Sequence, residues 1–366
     1  MQLPSLISLL SSLSALAALA QASAGPSHGL HKRRLDKRCT RTKAPSGAVV
    51  VAQDGSGEFA TIQAAVDSGA TSIFVQPGTY EEQVYVEGDG VAIYGYTENS
   101  DTFAGNQVVL THSLSANDAE NNDATGTLRV HGNDFKLCET LPAPSLSSAA
   151  LTSGGADNVD VVNSYGKGSQ ALALSAYGER QGFYGSRFYG YQDTILTNEG
   201  TQYFSRCYVE GATDFIFGQR ARSFFDHSTL AIVGMGYIVA PGRDSEDGAG
   251  LYVFNSCSIE QAASAPEDLT GQAYLGRPWR NYARAVYKYC SISSVINAAG
   301  WKVWNADDER TDNILFGEYE NSGDGAWNSA RASFATQLDS AANAEYTLSS
   351  VLGSDYASWV DGEFLA

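Results

Sequence analysis

Phe183 to Asp193 (FYGSRFYGYQD) and Phe204 to Asp214 (FSRCYVEGATD) align end to end at an offset of 21 residues, pairing Phe with Phe, Gly190 with Gly211 and Asp193 with Asp214. A period of this length restricts a chain to solenoids, propellers or arrays. The repeat extends outward as an apolar column, Val161, Phe183, Phe204, Phe225, Phe254 and Tyr287, with Ser164, Ser186, Cys207, Ser228, Cys257 and Cys290 three residues further on. The steps between column members are 22, 21, 21, 29 and 33, as in a coil whose rungs share a core position while loops of varied length swing outside it. Each period holds short β-rich runs (TQYFSRCYVE, LYVFNSCSIE, ARAVYKYCSIS) without paired amphipathic helices or a blade signature. These features predict an all-β chain, a right-handed parallel β-helix. Neighbouring strands lie about 4.8 Å apart, so Asp193 and Asp214 are expected to stack on adjacent rungs.

The continuous repeat favours one domain over residues 39–366 of the 366-residue chain. Residues 1–22 have the apolar, Ser/Ala-rich composition and small-x-small ending of a secretory signal peptide, although the usual positive n-region is missing. The basic run HKRRLDKR at 31–38 is either a solvated patch or the end of a pro-segment (23–38) cut after Arg38 by a Golgi protease. A secreted, extracellular protein is therefore expected. DGSG at 54–57 before FATIQAAV at 59–66 reads as a loop entering a short helix that caps the open N-terminal end of the coil, in preference to a phosphate loop.

The chain carries a net charge of −18, and loss of residues 1–38, with five basic residues and one acid, takes it to about −22. That charge disfavours nucleic acid and anionic membranes as partners. It also disfavours tight binding of a heavily charged polyuronate, whereas a neutral, esterified polymer is repelled less. Five cysteines leave one without a partner in a secreted chain. Cys207, Cys257 and Cys290 fall in the column, where a small buried hydrophobe is the ordinary role.

No G-x-S-x-G, H-E-x-x-H or C-x-x-C occurs, and the five histidines are scattered, so a serine-hydrolase elbow and a zinc site are poorly supported. Acids and amides cluster instead. Gln170 and Gln192 are 22 apart and should also stack, and Gln192 adjoins Asp193. Two close carboxylates cannot both ionise easily, which leaves an acid beside a base or nucleophile. Side-chain amides can donate to an oxyanion. The same residues also suit turn-forming Asp and a structural amide ladder, and spacing alone leaves both readings open.

Five ordered stretches resemble one family: GTYEE at 78–82, QALAL at 170–174, QDTIL at 192–196, GATDFIFG at 211–218 and LGRPW at 275–279. They are similar to the signatures of pectin methylesterases, carbohydrate esterases with a right-handed β-helix, and the resemblance runs from about Val49 to Asp361. The short loops, acidic charge and closing LGSDYASWVD look most like secreted fungal members. The resemblance implies that Asp214 is the nucleophile toward the C6 methyl ester of galacturonate in pectin, and that Asp193 is the acid and then the base. It implies that Gln170 and Gln192 hold the oxyanion and that Arg277 orients Asp214. Trp279 and Trp301 match aromatic positions on which sugar rings pack. No cofactor or metal is implied, and the acidic run from Asn117 to Asp123 reads as a solvated loop in preference to a calcium site. A monomer acting on methyl-esterified homogalacturonan is expected. The rival readings are a polygalacturonase or lyase on the same fold, and a catalytically idle polysaccharide-binding β-helix.

The family pattern fails at one place. Related chains run from a stretch like NDFKL (133–137) almost directly into one like VDVVNS (159–164), whereas here residues 138–157 (CETLPAPSLSSAALTSGGAD) intervene. A surface loop is one reading, since solenoid rungs contact only their neighbours. A retained intron is the preferred one. Cys138-Glu-Thr can be encoded with a 5′ splice signal (T-GTGAG-ACN) and Ala156-Asp157 with a 3′ AG (GCA-GAC). Joining them leaves a Tyr codon between Leu137 and Asn158 and removes Cys138.

Overall fold

A computed structural model describes residues 41–100, 102–137 and 158–365. The expectations for the leader and pro-segment, for Cys39 and Cys138, and for residues 138–157 lie outside the described residues.

The strands wind into a right-handed parallel β-helix. The column residues from Phe183 to Tyr287 lie on an eleven-stranded sheet whose members follow one another up the coil, from Val49–Val51 through Gln181–Tyr184, Thr201–Ser205 and Arg222–Asp226 to Thr336–Gln337. Every strand pair along it is parallel, and the register joins Phe183, Phe204, Phe225, Phe254 and Tyr287 as direct partners. Their rings stack at centroid separations of 4.6, 4.3, 5.0 and 4.3 Å, all within the interior. Offset stacking adds to the burial of these large side chains. The next rung places Glu318 opposite Tyr287, and Arg331 neutralises that buried carboxylate through two contacts of 2.7 Å.

One member of the expected column is elsewhere. Val161 pairs with Leu110 and Phe188 in the second sheet, and the place below Phe183 belongs to Leu137. The 22-residue step from Val161 matched the period by coincidence, because residues 138–157 separate Leu137 from the rest of its rung.

The coil turns a corner two residues after each column position. Gly185, Arg206, His227, Ser256, Tyr289 and Glu320 all have φ between 45° and 56°. Left-handed backbone costs a non-glycine residue roughly 1–2 kcal/mol. The first five corner N–H groups are used along the stack: Gly185 donates to Ser205 O, Arg206 to Asp226 O, His227 to Asn255 O, Ser256 to Lys288 O and Tyr289 to Tyr319 O, each at 3.0 Å. Asn158 (φ 79°) is the corresponding corner of its rung, since Asp160 pairs with Arg187, and its Nδ2 lies 3.4 Å from Gly185 O. Between Phe183 and Gly185 stands a single residue, Tyr184. Between Leu137 and Asn158 stand residues 138–157.

The three column cysteines Cys207, Cys257 and Cys290 are buried. Each donates to a carbonyl one rung below, Phe183 O, Phe225 O and Phe254 O, at 3.4–3.5 Å. Near the start of the coil, a helix at Ile62–Asp67, capped by Thr61, buries Ile62 and Ala65 in the main core.

Candidate active site

On the second face, Ile195–Thr197 lies between Leu174–Ala176 and the long strand Tyr208–Gly218. Gln192 pairs with Thr213 and Ile195 with Ile216, so Asp193 and Asp214 are register partners on adjacent rungs. Both aspartates have left-handed backbone, with φ of 62° and 49°. Asp tolerates this region better than most residues, and Asp193 N–H is held by Thr213 O at 3.1 Å.

The glutamines follow a different step. Ala171 N–H donates to Gln192 O, while Ala173 and Leu174 both donate to Thr194 O. One extra residue is absorbed there, so the 22-residue step that sets Gln170 beside Gln192 becomes 21 at Leu174 and Ile195. This local irregularity lets the amide pair and the acid pair share one wall.

Asp193, Asp214, Gln170 and Gln192 line a cavity of ≈ 290 Å³ with Asn122, Phe217, Ala240, Arg277, Trp279 and Trp304. It adjoins a second cleft of ≈ 310 Å³ through Asn122, Phe217 and Trp279, so the two make a continuous groove. A larger cavity, ≈ 610 Å³, lies elsewhere, against Tyr94, Lys136, Arg180 and Trp359. Size does not select the site; the stacked carboxylates do.

Both carboxylates are only 7 % exposed. Burial and the charge of Asp214 push Asp193 well above the ordinary carboxylate value, and Arg277 opposes this only partly. Burial also raises Asp214, but Arg277 works against it with a hydrogen bond as well as its charge. The guanidinium is bidentate, with Nε 2.9 Å from Oδ1 and Nη2 2.6 Å from Oδ2. That contact was expected to keep Asp214 ionised. Burial outweighs it in direction, yet the pair is unequal: Asp193 is the carboxyl that keeps its proton and Asp214 the one that ionises first. Arg277 is itself fixed between two rings, 4.1 Å from the centroid of Tyr237 and 4.3 Å from that of Trp304.

Trp279 lies in the groove, edge-on to Phe217 at 6.0 Å. Its approach leaves no room for a Cβ at Gly242, which would meet Trp279 Cε3 at 2.5 Å. Trp301 is not in the groove. It is 1 % exposed, its Nε1–H donates to Glu318 Oε1 at 2.9 Å, and its ring stacks on Phe316 at 4.2 Å. Pairing of Trp301 with Gly276 directs it into the coil, so it cannot serve as a sugar platform, and Trp304 lines the cavity instead. Sequence reasoning also passed over Asn122, set in an acidic run read as a solvated loop. Only the resemblance could have drawn attention to Trp304, and it pointed three residues too early.

With this geometry in place, the comparisons with known proteins decide the family. The Pectinesterase family profile matches residues 48–355. The chain belongs to the pectinesterase family. It is 42 % identical over 339 residues to a pectinesterase of Aspergillus aculeatus, covering 89 % of this chain and 94 % of that protein. It is 37 % identical to a pectinesterase of Aspergillus niger, with 89 % and 94 % covered. The fold superimposes on the deglycosylated pectin methylesterase of Aspergillus niger with a TM-score of 0.76 at 35 % identity, covering 89 % of this chain and all of that one. It superimposes on the carrot pectin methylesterase with a TM-score of 0.73 at 27 % identity, covering 86 % and 97 %. As a pectinesterase it is a carboxylic ester hydrolase, consistent with demethylation of pectin.

Proposed function

We propose that the chain removes C6 methyl groups from galacturonate in pectin through Asp214 as nucleophile and Asp193 as acid and base. An Asp214 oxygen attacks the ester carbonyl carbon, and the developing oxyanion accepts hydrogen bonds from the amides of Gln170 and Gln192. The carbonyl re-forms as the bond to the methoxy oxygen breaks, and Asp193 gives that oxygen its proton, releasing methanol. The product is an acyl-enzyme, an anhydride on Asp214. Asp193, now ionised, takes a proton from water as the water attacks the acyl carbon. Collapse of that adduct expels Asp214 as its carboxylate and leaves the free galacturonate carboxyl, with Asp193 already reprotonated by the water.

The observation that carries this reading is the asymmetry of one stacked pair: two carboxylates in register, with a bidentate arginine on Asp214 alone. Arg277 favours the carboxylate form of the attacking group against its burial, and the lack of such a partner favours the proton on Asp193. Trp279 and Trp304 flank the groove as surfaces for sugar rings. Asp214→Asn is expected to lose methanol release from esterified pectin while still binding it; unchanged release would refute the assignment. Chain cleavage or unsaturated ends in the products would instead identify a hydrolase or lyase of the polymer backbone.

The mature protein is proposed to be a secreted monomer beginning at Cys39, which N-terminal sequencing and light scattering of the extracellular enzyme test. Residues 138–157 are proposed to be absent from it, as a retained intron, with one Tyr joining Leu137 to Asn158. Support comes from the rung above, where one residue joins Phe183 to the left-handed corner at Gly185. A chain with this replacement is expected to be more stable than the full sequence. Recovery of a peptide spanning Ser145 to Gly155 from mature secreted protein would overturn the proposal.

A further inference from the structure

Asn122 stands where the two clefts of the groove meet, and its Nδ2 lies 3.3 Å from Asp193 Oδ2. It is the side chain hydrogen-bonded to the Asp193 carboxyl among the described residues. The separation is long for a hydrogen bond, as is common before substrate closes a site.

The turn bearing Asn122 is held from both sides. Its carbonyl accepts from Thr125 N–H at 3.0 Å and from Thr125 Oγ1 at 2.7 Å. Thr125 is fully buried, and its hydroxyl accepts in turn from Leu172 N–H at 3.1 Å, two residues beyond Gln170. On the other side Asp123 is anchored by Arg129 at 2.5 Å, His131 at 3.0 Å and Ser175 at 2.7 Å. A short polar side chain on so fixed a turn is preorganised, and its amide does not have to be ordered when substrate arrives.

We infer that Asn122 is a positioning residue for the proton of Asp193: its amide N–H occupies Oδ2, so the acid proton resides on Oδ1 and the carboxyl is held in one orientation. This rests on the reading of Asp193 as the acid and base. The groups facing Asp193 are Asp214, one rung above, and Arg277, which is bound to Asp214. The charges beside Asn122 are Asp123 with its partners Arg129 and His131. Neither set supplies a hydrogen bond to the Asp193 carboxyl. A donor to Oδ2 favours the ionised carboxyl, so losing it makes Asp193 hold its proton more tightly.

The test is the pH profile of kcat/KM for methanol release, whose alkaline limb reports loss of the acid's proton in the free enzyme. In Asn122→Ala the limb is expected to move to higher pH by roughly half a unit to one unit, with activity at the wild-type optimum down by roughly threefold to tenfold. Asn122→Asp, nearly isosteric but with a carboxylate in place of the donor, is expected to move the limb upward at least as far. A purely structural role predicts that Asn122→Asp resembles wild type and that neither limb moves, and that result overturns the inference. A shift to lower pH also overturns it, because the Asn122 carbonyl would then be accepting the Asp193 proton. Asp193→Asn assayed in parallel separates the two levels. If it keeps full activity, the acid–base reading itself fails; if it is inactive while the Asn122 limbs stay fixed, only the positioning role fails.

Discussion

The ring ladder from Phe183 to Tyr287 and the pair Asp193–Asp214 are built by the same operation, a repeat of one side chain at one-rung spacing, with opposite energetic results. Stacked rings at 4.3–5.0 Å gain dispersion and lose water, so every added member strengthens the column. Stacked carboxylates at the same spacing repel, and burial raises the penalty for ionising both. A solenoid therefore gives a simple route to an acid beside a nucleophile: it places two like groups in register, then breaks their equivalence with one outside contact. Arg277 makes that break by binding Asp214 alone. The column terminates by the related device of a buried Glu318 neutralised by Arg331.

Substitutions can separate the two kinds of stack. Asp214→Asn should lower kcat for methanol release by about 10⁴-fold, since the attacking group itself is lost. Asp193→Asn should lower kcat by roughly 10²- to 10⁴-fold and at the same time raise the melting temperature at neutral pH. Its sign follows from the raised folded-state pKa. The protonated acid is fully compatible with folding below the ordinary value of 3.8, and stability is lost as pH rises through the higher folded value. The Asn variant escapes that loss, so its advantage in a thermal melt should be absent at low pH and grow to about 2 °C above the folded pKa. No such growth would break the claim that repulsion and burial strain the pair.

In the ladder the reverse pattern is expected. Phe204→Ala should reduce stability by about 3–5 kcal/mol in denaturant titration while the folded fraction keeps its specific activity. A large fall in kcat at full folding would show that the two stacks are coupled. Arg277→Lys keeps the charge but gives up the fork and its place between Tyr237 and Trp304. It should cost roughly 10- to 100-fold in kcat, and an effect confined to KM would count against the orienting role.

The repeat made the coil, the interior column above Phe183 and the register of Asp193 with Asp214 legible, because a period in the sequence is a period in space once strands stack. It failed at Val161, where intervening residues broke the period and a chance step of 22 imitated it. Gln170 and Gln192 were matched at the correct offset, but the backbone irregularity that permits it was not visible. Trp301 and Trp304 illustrate the limit more sharply: both are aromatic residues in one loop, and only strand pairing with Gly276 decides which of them enters the core.

By itself the sequence determined the fold, the family and the two carboxylates, since each of these depends on residue types recurring at fixed separations along the chain. Tertiary structure decided what depends on distance between remote segments. It set Arg277 on one aspartate and not the other, turned Trp301 inward, and brought the turn at Asn122 against Asp193 across 71 residues of chain. Charge equivalence within the pair is broken by those contacts alone, because burial and neighbouring dipoles act through space and leave no periodic mark in the sequence.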